Sequence, residues 1–343
     1  MINLSDSASN LEQFNDAGDP IVFSRVAYIP YLQSLVRKGA PKHCVWIARF
    51  QGGEVDLSLK LLNAVMFYGV SGDLPVEFLS DAGDCGVGVI FHTRHKKTPL
   101  TLMPGARADR NDILGAQILA RHSKRKSLVV AKAFVIARIS QMHWLLSGTD
   151  ERAARVRAAS SLAEVRAIEA ESAKLYWAKY FRTLNMDGCS RRQDNPVSKA
   201  LDALSAFTAP LFLRWLAVHG LSANHGYLHE PTSYEALAFD LMESVRHWSE
   251  QVVYQEVLEG GTDNLTARAT SRYKHLLEEW VEVPSLQVSA KRKFVLYGMV
   301  LALRSYLLGE INHVHLPMDS VVRSRGRPVK VSYKIPGAVK RIR

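Results

Sequence analysis

Asp240, Glu243 and Arg246 follow one another at i, i+3 and i+6 in an otherwise apolar stretch, and His229 lies a short way ahead of them. On a helix that spacing stacks the three side chains along one side. Carboxylates with so much apolar surface around them are costly unless a cation or a donor meets them. One imidazole and two carboxylates make a divalent-metal site of oxygen and nitrogen donors. The same residues fit a purely structural reading, in which Asp240 and Glu243 pair with Arg246 or with a base from another helix and His229 sits in a loop. The spacing leaves both readings open.

Two helices must position these groups. Pro231, Thr232 and Ser233 form a helix entry, with a hydroxyl to cap the free N–H groups and Glu235 in the first turn. From Glu235 to Trp248 the pattern is apolar nearly all round, so this helix belongs inside a domain. A second helix is expected over Leu162–Thr183, where Val165, Glu169, Ala173, Tyr176 and Tyr180 form a stripe that is apolar except for Glu169. Glu171 lies on another line of that helix. Spacing does not choose between the two glutamates.

The run GYLHEPTSYEALAFDLMESVR, residues 226–246, resembles the CRISPR-associated spacer-acquisition integrases, the Cas one family. The order histidine, aspartate, glutamate, arginine matches through His229, Asp240, Glu243 and Arg246. Ile168-Glu169-Ala170-Glu171-Ser172-Ala173-Lys174-Leu175-Tyr176 is similar to the family pattern isoleucine-glutamate-glycine-x-x-alanine-x-x-tyrosine, which selects Glu169 and leaves Glu171 as an acid at the surface or one behind the ligands. Pro75, Val76, Phe78, Leu79, Ser80 and Gly83 match a "PVxFLSxxG" element. The chain departs from the family at Ala137, Arg138 and Ser140 of a lysine-isoleucine-x-asparagine-glutamine helix. It departs again after Pro196, where the asparagines and glycine are lost.

The resemblance implies an α+β protein, with a small N-terminal β-rich domain followed by a larger all-α catalytic domain. It implies a site in which Glu169, His229 and Glu243 are catalytic and hold Mg²⁺ or Mn²⁺, with Asp240 as an auxiliary group. The implied reaction is endonuclease and integrase chemistry on double-stranded DNA, by 3′-hydroxyl attack on a phosphodiester, which inserts short duplexes into a repeat array. A homodimer and a small companion protein (Cas two) are the implied partners. The same residues would serve a transposon-type integrase or a branched-DNA nuclease, and the altered helix after Pro196 fits a catalytically silent DNA-binding homologue.

Composition agrees with a polyanionic partner. Lys and Arg number 44 against 33 Asp and Glu, a formal charge of +11. The cysteines Cys44, Cys85 and Cys189 are far apart in sequence, which argues for a reducing compartment and against zinc or a disulfide framework. No signal peptide or apolar run long enough to span a bilayer is recognised, so a cytoplasmic protein is expected.

Along the chain, residues 1–18 read as a loose N-terminus and 19–104 as the β-rich domain. Residues 105–316 read as the helical domain and 317–343 as a basic flexible tail. Strands are expected at Ile21–Phe23, Cys44–Ala48, Val55–Leu57, Pro75–Leu79 and Gly86–Phe91, with a turn at Asp81–Gly83 and one helix at Leu59–Tyr68. Further helices are expected within Asp112–Leu146, Asn264–Trp280 and Val288–Leu308.

Candidate nucleic-acid contacts are Arg121, Lys124, Arg125 and Lys126, then Arg191, Arg192 and Arg246, then Lys291, Arg292 and Lys293. The tail adds Arg325-Gly326-Arg327-Pro328, an AT-hook-like core whose arginines suit a narrow minor groove.

Overall fold

The computed structural model describes residues 26–69, 72–92, 100–104, 112–229, 234–317 and 329–340. The expected strand at Ile21–Phe23, the helix entry Pro231–Ser233 and the Arg325–Pro328 motif lie outside them.

A strand-rich N-terminal region precedes a larger helical one. Strand β1 (Val26–Pro30) leads into an antiparallel meander of β2 (Leu32–Arg37), β3 (Val45–Phe50) and β4 (Gly53–Ser58). The next elements are β5 (Ala64–Tyr68), α1 (Val76–Asp84), β6 (Gly88–His92) and β7 (Leu100–Leu102). β5 lies between β1 and β6 and runs parallel to both, while β7 closes the edge antiparallel to β6.

That topology corrects two expectations. Leu59–Tyr68 is not a helix but a short 3-10 turn at Leu59–Leu61 followed by β5. Ala64, Val65, Met66 and Phe67 are all buried, and a strand covered on both faces reads as an unbroken apolar run without alternation. Pro75–Leu79 is not a strand, nor is Asp81–Gly83 a hairpin turn; both belong to α1 and its N-cap. Parallel neighbours need a crossover, and α1 supplies it between β5 and β6. Phe78 and Ala82, one helical turn apart, bury that helix in the N-terminal core.

The helical region begins with α2 (Ile113–His122) and α3 (Lys124–Gln141), separated at Ser123, whose hydroxyl accepts from the Lys126 N–H at 3.3 Å. After α4 (Thr149–Ala158) comes α5 (Leu162–Thr183), with the bounds expected from its apolar stripe. Helix α6 (Pro196–Val218) is by length and composition apolar enough to cross a membrane, contrary to the expectation that no such run exists. Two thirds of its apolar window is buried among α7, α8, α9 and α10, so it serves as the central core helix.

The single helix expected over Glu235–Trp248 is two helices, α7 (Ala236–Glu243) and α8 (Arg246–Gly260). The path breaks at Ser244 and Val245, where Val245 takes φ −122°. Helix α9 (Leu265–Glu278) precedes β8 (Trp280–Val283) and β9 (Val288–Lys291), so Val288 begins a strand and only α10 (Arg292–Leu307) is helical.

The tail is not loose over its described part. β10 (Val339–Lys340) adds to β9, and Tyr333 and Ile335 are buried. The Tyr333 hydroxyl donates to the His315 carbonyl at 2.9 Å. Gly298 on α10 admits this return, since a Cβ there would lie 2.9 Å from Ile335 Cγ1 and 3.0 Å from Pro317 Cγ. The basic composition concealed two apolar anchors. The two regions are joined by Arg214 of α6, whose Nε donates to the Gly86 carbonyl at 2.8 Å.

Candidate active site

Asp240 is the structural centre of the site. Its carboxylate is fully buried on α7 and accepts backbone N–H bonds from Tyr227 (2.6 Å), Leu228 (2.9 Å) and His229 (3.1 Å). Its Oδ1 also lies 2.6 Å from His229 Nδ1. The loop before α7 is thus wrapped around one side chain. Gly226 makes the approach possible, because a Cβ there would stand 2.8 Å from Asp240 Oδ2 and 2.7 Å from the His229 carbonyl oxygen.

With its hydrogen bonds directed at the loop, Asp240 is a positioning group for His229. It fixes the ring through Nδ1 and leaves Nε2 as the nitrogen for a ligand, the arrangement in which a second carboxylate orients a metal-binding imidazole. The hydrogen bond that His229 donates to Asp240 raises the His229 pKa above its ordinary value, against the opposing effect of burial.

A second clamp brings α5 to the same place. Arg166 donates from Nε (2.9 Å) and Nη2 (2.7 Å) to the Leu228 carbonyl. Glu169 lies one turn further along the same face of α5. Burial first, and the neighbouring Glu243 carboxylate second, push the Glu169 pKa above the ordinary carboxylate range, while Arg138, His229 and Arg246 pull it back. Glu169, Glu243 and His229 therefore share one electrostatic environment. Glu171 points elsewhere and forms an exposed ion pair with Arg155 at 2.9 Å.

Glu243 ends α7 and is buried. Arg246 Nη2 meets its Oε1 at 2.8 Å, and Arg138 Nε lies 3.5 Å from Oε2. The structural pairing of Glu243 with Arg246 is thus present, and a base from another helix joins it. Among the described residues no three His, Cys, Asp or Glu side chains converge as a ready metal cage. The donor set still suits a divalent cation. Two carboxylates that repel one another and an imidazole fixed through its far nitrogen are relieved by a positive ion between them, and oxygen with nitrogen donors fits Mg²⁺ or Mn²⁺.

Two charged residues of this neighbourhood do not stand out as site residues in the sequence. Arg138 on α3 is buried and forks onto Glu250 of α8, with Nη1–Oε2 at 2.8 Å and Nη2–Oε1 at 2.6 Å. The Tyr176 hydroxyl donates to the same Oε2 at 2.7 Å, and the Tyr180 hydroxyl donates to the Glu250 carbonyl at 2.7 Å. The charge of Arg138 within the apolar run Ala133–Ile139 was the available signal, whereas Glu250, between Ser249 and Gln251, carries none.

The basic candidates separate by environment. Lys124, Arg125 and Lys126 are exposed at the start of α3, near Arg121. Lys291 and Lys293 pair with Glu278 (3.2 and 2.7 Å) and Arg292 pairs with Glu279 (2.6 Å), so this run offsets the acidic end of α9. Arg191 pairs with Asp202 and lies over Trp177, beside an exposed Arg192. His219 packs on Tyr297 and bonds its hydroxyl, while His225 bonds Ser222 in the turn.

The sequence matches the family profile described as CRISPR associated protein Cas1 over residues 42–264, more than half of the chain. The chain belongs to the Cas1 family. Among solved structures it is similar to a casposase bound to integration product, at 17% identity and a TM-score of 0.74, covering 88% of this chain and 96% of that one. It is also similar to a Cas1 protein from Thermotoga maritima, at 15% identity and a TM-score of 0.68, covering 83% and 97%. A Cas6-RT-Cas1–Cas2 complex follows at 15% identity and a TM-score of 0.65, covering 87% of this chain and 37% of that one. At these identities the likeness establishes the Cas1 fold. No curated protein matches the chain.

Proposed function

We propose that this Cas1-family chain is a divalent-metal-dependent DNA integrase and endonuclease that inserts short duplexes into a CRISPR repeat array. The observation that carries the proposal is His229, fixed through Nδ1 by the buried Asp240 and sharing the field of Glu169 and Glu243. Glu169, His229 and Glu243 would hold Mg²⁺ or Mn²⁺. The bound ion supplies activation of the attacking hydroxyl and stabilisation of charge on the phosphodiester.

The chain's own groups do the rest. Asp240 keeps His229 in one tautomer and orientation, and Arg166 holds the His229 loop against the helix that carries Glu169. The incoming 3′-oxygen bonds to phosphorus, the bond from phosphorus to the target's 3′-oxygen breaks, and that oxygen leaves as a new 3′-hydroxyl. No covalent enzyme intermediate is needed. Where water is the nucleophile, the same displacement is nuclease cleavage.

The proposed partners are double-stranded DNA, a second copy of the chain and a small Cas2 companion, and the proposed compartment is the cytoplasm. The solved relatives include a DNA-bound Cas1 and a Cas1–Cas2 assembly, which supports the DNA and Cas2 proposals. A second reading, a transposon-borne integrase, is favoured by the casposase likeness over 96% of that chain.

A strand-transfer assay tests both. Purified protein, a short duplex with free 3′-hydroxyls and a repeat-bearing supercoiled plasmid are incubated with Mn²⁺ or Mg²⁺. Joined product that requires metal and is lost in His229→Ala and Glu243→Ala is expected. Joining with equal efficiency into a plasmid lacking the repeat favours the transposon reading. DNA binding without any metal-dependent chemistry refutes catalysis.

A further inference from the structure

Arg138 is locked where Arg246 has room to move. Both Nη groups of Arg138 are held by Glu250, whose Oε2 also receives the Tyr176 hydroxyl, and the guanidinium lies 5.1 Å from the centre of the Tyr176 ring. Helices α3, α5 and α8 thus meet in a closed, buried polar network. Its remaining nitrogen, Nε, faces Glu243 at 3.5 Å. The side chain is 3% exposed, against 26% for Arg246. Arg246 can swing into solvent when another cation arrives at Glu243, whereas moving Arg138 would leave the Glu250 carboxylate buried without its counter-charge.

We infer that Arg138 is a positioning residue with a fixed charge: it aims Glu243 and competes permanently with a divalent cation for that carboxylate. This rests on the metal-site reading above. The electrostatic consequence is definite in sign. A guanidinium that cannot leave weakens cation binding, since positive charges repel over a few ångströms and are little screened in a buried site. It also holds the Glu243 carboxylate at one angle, so the site trades affinity for a defined geometry. An Arg138 that served only to hold the helices together would behave in the opposite way, because a loosened Glu243 would bind metal more weakly.

The test measures Mn²⁺ binding directly, by the paramagnetic resonance signal of free Mn²⁺, on the full chain without DNA. The variant R138M/Y176F/E250M replaces the whole network by apolar groups of similar size and leaves no buried charge unpaired. Tighter Mn²⁺ binding is expected, by about tenfold or more, together with slower strand transfer at saturating metal. Arg138→Lys keeps a charge beside Glu250 but shortens the donor fork, so an intermediate gain in affinity is expected. It decides the question should the triple variant fail to fold. Unchanged or weaker binding in a folded variant overturns the inference. Glu169→Ala/Glu243→Ala is the control: if it binds Mn²⁺ as tightly as the parent, the metal-site reading itself fails, which is a separate result.

Discussion

Arg166 holds the backbone carbonyl of Leu228 with two hydrogen bonds, of 2.9 and 2.7 Å, and so ties α5 to the residue that precedes His229. Neither residue is a ligand in the proposed site. Their pairing nevertheless sets the separation between Glu169 and His229, because Glu169 lies one turn along from Arg166. Arg166→Ala should therefore lower strand transfer by roughly ten- to a hundredfold, as misplacement of a reacting group does. The melting temperature should fall by only a few degrees. Arg166→Lys should recover part of the rate. An alanine variant with the parent's rate would show that the clamp does not set the geometry.

Asp240 and His229 should separate in a stability measurement. Removing the Asp240 charge leaves three loop N–H donors without their acceptor, and a buried charged hydrogen-bonding group is costly to lose. Asp240→Ala should cost about 3 kcal/mol or more in denaturant unfolding. His229→Ala, whose ring is partly exposed, should cost about 1 kcal/mol, and both should abolish joining. Equal stability of the two variants would argue against Asp240 as the organiser of the loop.

Glu169 gives a pH signature of opposite sign to the usual acid. Its folded pKa is raised by burial and by Glu243, so the folded state holds the proton more tightly than the unfolded state. Stability tied to this group is complete below the ordinary carboxylate value and is lost as pH rises through the raised folded value. Glu169→Gln should therefore raise the melting temperature near neutral pH, by on the order of 2 °C. The gain should vanish below the ordinary carboxylate range. Added Mn²⁺ should stabilise the parent and not the glutamine variant. A destabilised Glu169→Gln near neutral pH would contradict the proposed repulsion.

The basic clusters should respond differently to neutralisation. Lys124, Arg125 and Lys126 are exposed, so their replacement by alanine should reduce the salt dependence of DNA binding. The slope should fall by about 0.9 for each phosphate that is no longer neutralised, with little change in stability. Lys293 is paired with Glu278 and buried, so Lys293→Ala should lower stability and leave the salt slope unchanged. Salt titrations of DNA affinity beside thermal melts decide both.

The end of the chain should matter to the helical region. A variant ending at residue 316 loses Tyr333 and Ile335 and the β10 pairing with β9. Burial of the two side chains is worth about 2 kcal/mol each before the cost of ordering the segment. A lower melting temperature and faster proteolysis near α10 are expected, and a truncated chain as stable as the parent would show that the return contributes nothing.

Much of the α+β plan was legible because helical stripes such as Val165–Tyr180 repeat over many turns. The failures share a cause. β5 carries no alternation because both its faces are covered, and α1 is short enough that Pro, Gly and two aspartates suggested turns. The break at Ser244–Val245 has no proline or glycine to announce it. At the site, residue types and spacing pointed to His229, Asp240 and Glu243, and the family resemblance chose Glu169 over Glu171, but whether Asp240 faces the loop or a ligand depends on backbone N–H groups that no side-chain pattern records. Arg138 and Glu250 lie 112 residues apart, so only the packed helices reveal them as a pair.

That separation has a consequence for synthesis. The groups around Glu243 come from four helices between Arg138 and Glu250, and of their pairings only that of Arg246 with Glu243 is local. The ligands of the proposed site are held together only when the helices that carry them have packed. Closing such distant pairings is among the slower steps of folding. The proposed capacity to cut or join DNA should thus emerge only when the domain closes, and an unfinished chain should lack it.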